Sequence, residues 1–154
     1  MSNSPLVSHT NISPNKTCPR NKQIDTITIH CFVGQFSVER MCEMFESPKK
    51  KASANYVIGS DGRIGLCVDE ADRSWCSSSS TNDNRAITIE CASDLKHPYA
   101  INNKVMNSLI NFVYNIWDTA KKVRCPENYI FPFPFKCGKI RKKGESTKRR
   151  RRNL

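Results

Sequence analysis

A chain of 154 residues suits a single domain with a buried core, and 38% hydrophobic with 25% charged residues excludes wholesale disorder. The net charge of +11 is unevenly placed: residues 136–154 hold ten of the 25 Lys and Arg and one of the 14 Asp and Glu, so +9 lies there and +2 in residues 1–135. The basicity belongs to the tail, so pI is no argument for a nucleic-acid-binding fold. No apolar run approaches the roughly 20 residues of a membrane span.

Residues 1–21 read as an irregular lead-in, rich in Ser, Asn and Pro. No signal peptide opens the chain, so synthesis in the cytoplasm is expected. None of the eight cysteines forms a CxxC pair, which argues for reduced thiols over a disulfide framework. Cys31, Cys67 and Cys91 fall at apolar-phase strand positions, where a free thiol serves as a small hydrophobe.

Thr26 to Cys31 alternates polar and apolar residues, the pattern of a strand with one buried face. Ile27, Ile29 and Cys31 share one side. Thr26, Thr28 and His30 share the other, which points into a groove. A lone histidine there does not by itself establish a metal or catalytic role. Gly34 ends the strand, Ser37 caps a short helix, and Val38, Met41, Cys42 and Phe45 recur at helical spacing until Ser47-Pro48. Ala54–Ile58 and Arg63–Val68 read as strands of a hairpin around Gly59-Ser60-Asp61-Gly62. Asp69 to Arg73 is expected to be exposed. The Ser- and Asn-rich stretch 74–84 is either a plain loop or a rim over a site, anchored by Trp75.

Ala86 to Cys91 repeats the phase of the first strand, with Ile87, Ile89 and Cys91 on one side and Ala86, Thr88 and Glu90 on the other. If the two strands are neighbours, His30 and Glu90 share an open face, an arrangement useful in hydrolysis. Taken alone, the strand reads Glu90 as an exposed carboxylate. Residues 101–120 form the strongest helix, with a core stripe of Ile101, Val105, Leu109, Phe112, Val113, Ile116 and Trp117. Phe131-Pro132-Phe133-Pro134-Phe135 fits neither helix nor central strand, and residues 131–154 read as a basic, disordered tail.

Four blocks carry a resemblance: Thr26 to Cys31, Ala52 to Ile64, Asp72 to Ser77, and Asn82 to Glu90. In order and spacing they resemble the zinc-dependent N-acetylmuramoyl-L-alanine amidases, a family that includes endolysins, cell-wall amidases and peptidoglycan recognition proteins. The resemblance covers about residues 22–130. It implies an α/β fold, a mixed central sheet flanked by helices. It implies cleavage of the amide between N-acetylmuramic acid and L-alanine of peptidoglycan, by water on a Zn2+ held by two histidines and a cysteine or aspartate. By the same carry-over His30 is the first zinc ligand, Cys125 before Pro126 the cysteine ligand, and Glu90 the catalytic base; Asn55 and Trp75 lie near the substrate groove. Peptidoglycan is the implied partner and the cell wall the implied place of action. The basic tail is expected to meet anionic wall polymers and no specific nucleic acid.

One element of that pattern is missing. The second zinc histidine belongs shortly before the Cys-Pro motif, but Asp118 to Arg124 contains none, and only His9 and His97 remain. The domain thus reads as internally truncated after about residue 117 and incomplete toward its C-terminus. The alternative to an active amidase is a catalytically impaired peptidoglycan-binding module or a degraded remnant.

Overall fold

A computed structural model describes residues 3–120 of the chain. The expectations for Cys125, the Phe-Pro run and the basic tail lie outside the described residues. The described strands and α-helices are β1 (His9–Thr10), β2 (Lys16–Thr17), β3 (Thr26–Val33), α1 (Val38–Glu43), β4 (Tyr56–Ile58), β5 (Ile64–Leu66), β6 (Arg73–Ser74), α2 (Ser80–Arg85), β7 (Ala86–Ser93) and α3 (Asn103–Ala120), with a 3-10 turn at Pro48–Lys50. They build the expected mixed sheet with helices on it. Its order is β1-β5-β4-β7-β3, with β4 and β5 antiparallel and the other neighbours parallel.

The two long strands with matching phase, β3 and β7, pair in parallel along their whole length, from Thr26 opposite Ala86 to Val33 opposite Ser93. Side chains alternate across a strand, so paired residues share a face. One face carries Ile27, Ile29, Ile87, Ile89 and Cys91, joined through β4 by Tyr56 and Ile58. The other carries Thr28, His30, Thr88 and Glu90, joined by Val57.

Helix α3 covers the first face. Its buried Val105, Leu109, Phe112 and Ile116 recur at helical spacing, and Phe112 meets the buried Tyr56 ring edge-on at 4.6 Å. Burial of each such side chain contributes about 1.5–3 kcal/mol. Because α3 packs on β4 and β7, the outer strand β3 is left open. Ile29 (38%), Val33 (45%) and Cys31 are exposed, contrary to the buried role that their phase suggests. Alternation identifies a shared face; it does not say that something covers it.

Helix α1 covers part of the second face. Ser37 caps it by accepting the Arg40 N–H, and Val38, Met41 and Cys42 are fully buried. Gly65 makes the close approach possible: a Cβ there would lie 2.7–2.8 Å from Val38 Cγ2, Cys42 Sγ and Val57 Cγ2. The hairpin between β4 and β5 turns through Gly62 at φ +86°.

Two expectations need correction. Residues 3–21, expected as an irregular lead-in, contribute two short strands and buried side chains to the fold. β1 pairs with β5, β2 pairs with β6, and Ser13, Asn15 and Arg20 are buried. Two-residue strands are too short for periodicity to register. Likewise Asp69 to Arg73 is only partly exposed. Glu70 and Asp72 are buried, because Tyr56 donates to Glu70 at 2.7 Å and Lys16 donates to Asp72 at 2.8 Å.

Arg20 ties these pieces together. Its Nε donates to Glu70 O (2.7 Å), Nη2 to Asp72 O (2.7 Å), and Nη1 to Asn84 O and Ala86 O (both 3.0 Å). One guanidinium thus caps carbonyls of the 70–72 turn and of the α2–β7 junction. Burial pushes its pKa down, against the pull of Glu70, Asp72 and Asp83. Removing it strands several buried carbonyls, so Arg20→Ala is expected to destabilise the fold by about 3 kcal/mol or more, read by denaturant melts. A smaller, pH-dependent effect is expected at Asp72. Burial pushes its carboxyl up, but hydrogen bonds from Lys16 and Cys18 outweigh this and hold it below the usual range. A lowered folded pKa contributes stability above the unfolded value of about 3.9 and loses it as pH falls. Asp72→Asn should therefore cost about 1 kcal/mol at pH 7 and almost nothing at the acid end of a melting series.

Candidate active site

Register brings the first two site residues together. His30 on β3 lies directly opposite Glu90 on β7, both half-buried and on the same face. Burial pushes the Glu90 carboxyl up, and the neighbouring His30 pulls it partly back. A carboxylate held in this way retains affinity for a proton nearer neutrality, which suits a proton acceptor.

The stretch from β6 to α2 folds over the same face. Ser74 Oγ lies 2.7 Å from Thr88 Oγ1, and Asn82 contacts Thr28 Oγ1 at 3.1 Å. Cys76 follows β6 and reaches Glu90, its Sγ 3.5 Å from Oε1. The buried Asp83 of α2 fixes this turn. It accepts the Cys76 N–H at 2.9 Å and both the N–H (3.2 Å) and hydroxyl (2.6 Å) of Ser77. The Trp75 N–H donates to Ser53 Oγ at 3.0 Å. The Ser- and Asn-rich segment is therefore a built rim, not a plain loop.

Donor atoms of His30, Cys76 and Glu90 all lie within 4.8 Å of one another. Nitrogen, sulfur and carboxylate oxygen are the donor types that zinc accepts, so the described residues fit such an ion. Neither remaining histidine joins them. His9 is on β1 at the opposite edge of the sheet, and His97 stacks edge-on with Tyr99 in the segment after β7.

Beside the cluster is an open cavity of about 330 Å³, lined in part by Lys51, Arg73, Trp75, Cys76 and Ser79. Trp75 is half-buried, and its indole N–H donates to Thr17 Oγ1 at 3.0 Å. Trp75 is thus part of the wall of this cavity.

Asn55, expected near the substrate groove, is not among the residues lining this cavity. It is fully buried. Its Nδ2 donates to Val68 O (3.1 Å) and Asp69 O (3.2 Å), and its Oδ1 accepts the Thr88 N–H (3.1 Å). The side chain couples the start of β4, the end of β5 and β7. A polar residue beside a strand reads the same in sequence whether it serves a ligand or the backbone.

Cys76 joins His30 and Glu90 in this cluster without any motif that marks it in the sequence. The usable signal was its setting. A thiol in a run of Ser and Asn is not accounted for as core, unlike Cys42 or Cys91. Asn55→Ala is expected to cost about 2–3 kcal/mol in stability by leaving Thr88 N–H and the 68–69 carbonyls unpaired. Ligand affinity of the fraction that remains folded should be unchanged.

Residues 20–129 match the family model described as N-acetylmuramoyl-L-alanine amidase. No curated protein sequence matches at a significant level. Among solved structures the fold is similar to a selenomethionine derivative of AmpD (TM-score 0.61, 15% identity, 77% of this chain and 78% of that one). It is also similar to the endolysin amidase LysCS from Clostridium intestinale (0.60, 17%, 77% and 78%). The Drosophila peptidoglycan recognition protein SD is a third (0.50, 17%, 70% and 72%). At such identities these likenesses establish the fold. With the family match over most of its length, the chain belongs to the N-acetylmuramoyl-L-alanine amidase family.

Proposed function

We propose that this chain acts on the bacterial cell wall by hydrolysing the amide bond between N-acetylmuramic acid and L-alanine of peptidoglycan. The observation that carries the reading is the direct pairing of His30 with Glu90 on one sheet face, beneath the Trp75–Cys76 rim, in a member of this family.

Each residue has a distinct task. His30 supplies a nitrogen ligand for Zn2+ from a rigid strand. Cys125, the sulfur ligand that the resemblance implies, lies outside the described residues. The chemistry that zinc supplies when bound is an acidified water and a polarised carbonyl. Glu90 takes up the proton from the attacking water and returns it to the leaving amine of L-alanine, so the amide C–N bond breaks and a C–O bond forms. Trp75 offers a flat apolar surface to the glycan or stem peptide. Lys51 and Arg73, which line the same cavity, present positive charge to carboxylates of the muropeptide. The basic tail adds attraction to anionic wall polymers, an effect that salt weakens.

A second reading has its own support. Neither His9 nor His97 reaches the site, so a second histidine ligand is lacking among the described residues. A chain that grips muropeptide without cutting it would bind walls and release nothing. The two readings separate in one assay. Purified protein incubated with cell walls and zinc is expected to generate new L-alanine N-termini. Glu90→Gln should lower that rate by about 10²–10⁴-fold, while wall binding stays intact. Wall binding by the unaltered chain with no new N-termini would favour the binding module.

A further inference from the structure

We propose that Cys76 is itself a ligand of the metal centre, supplying sulfur where the chain lacks a second histidine. The inference rests on the zinc reading above but not on turnover.

Four observations support it. The first is proximity: Cys76 Sγ and the donor atoms of His30 and Glu90 fall within 4.8 Å of one another. Zn–S bonds of about 2.3 Å and Zn–N bonds of about 2.0–2.1 Å put ligands of one tetrahedral ion roughly 3.5 Å apart. Cys76 Sγ stands at that spacing from Glu90 Oε1, 3.5 Å, and the donor nitrogen of His30 is within 4.8 Å of both. The second is the rigidity of the Cys76 backbone. Its N–H is held by Asp83 at 2.9 Å, Ser77 is held by the same carboxylate, and the Trp75 N–H by Ser53. A ligand fixed before binding loses little entropy on coordination. The third is chemical setting. Cys42, Cys67 and Cys91 are fully buried within the core, whereas Cys76 packs only against its edge and its partly buried Sγ is near the carboxylate of Glu90 and the ring of His30. The fourth is elimination: among the described residues His30, Cys76 and Glu90 are the donors gathered at one point, so His30 and Cys76 can bind one ion with the Glu90 carboxylate next to it.

His30 and Cys76 are then protein ligands, and Glu90 beside them stays the proton acceptor. Coordination replaces the thiol proton: the S–H bond breaks, a sulfur–metal bond forms, and the proton leaves to solvent. No oxidation is involved.

The test uses the full chain and cobalt(II), which fills zinc sites and shows a sulfur-to-metal charge-transfer band in the near ultraviolet when thiolate is bound. The unaltered chain is expected to show this band. Cys76→Ser should abolish or strongly diminish it and weaken zinc binding by at least 10-fold. Cys125→Ser should retain it. No band in the unaltered chain, or a band undiminished in Cys76→Ser, overturns the proposal. A second measurement needs no substitution. Alkylation of Cys76, followed by peptide mass spectrometry, should be suppressed at least several-fold by zinc; equal labelling with and without zinc overturns the proposal. The outcomes also separate this inference from the amidase reading. A Cys76-dependent band without amide hydrolysis upholds the ligand and removes the enzyme. Hydrolysis with a band that depends only on Cys125 does the reverse.

Discussion

The structure depends on one constraint, the in-register parallel pairing of β3 with β7. A parallel ladder fixes which residues stand side by side, and a slip of one residue would send every side chain to the opposite face. Here the register is held by burial. Ile87 and Ile89 must lie under α3, and Thr88 must meet Asn55 and Ser74 on the other side. Glu90 follows two residues after Thr88, so its direction is decided by the core rather than by its own interactions. His30 arrives opposite it for the same reason. The pair of polar groups is carried by an apolar pattern that would hold without them.

The rim is built by a different kind of interaction. Segment 73–85 has few apolar residues, and hydrogen bonds replace them. Asp83 gathers Cys76 and Ser77, and Arg20 gathers the carbonyls of Glu70, Asp72, Asn84 and Ala86. These contacts join residues far apart in sequence. They allow a polar strip to sit as a rigid wall beside a carboxylate and a histidine. Rigidity there matters, because a metal or a substrate amide tolerates little misplacement of its partners.

What the sequence revealed follows from the same division. The strands around His30 and Glu90, the helix 103–120 and the hairpin at Gly62 were legible, because each has a long enough pattern or a definite turn signal. The family resemblance was legible too, since its blocks coincide with those elements. The contribution of residues 8–20 was hidden: two-residue strands and a buried arginine leave no periodicity. Asn55 was misread, because a side chain that satisfies backbone groups looks like one that awaits a ligand. Cys76 was overlooked because its partners, Glu90 and Asp83, approach through the fold and not through spacing. Ile29 and Val33 share the phase of core residues yet lie beyond the cover of α3, an outcome set by where the helix packs.

The central claim is that His30, Cys76 and Glu90 make one metal-dependent centre. The most direct measurement is anomalous X-ray diffraction at the zinc edge from crystals of the zinc-loaded chain. A single strong peak within bonding distance of His30 and of Cys76 Sγ, with the Glu90 carboxylate beside it, is the predicted result. A peak elsewhere in the chain, or none at saturating zinc, would contradict the account.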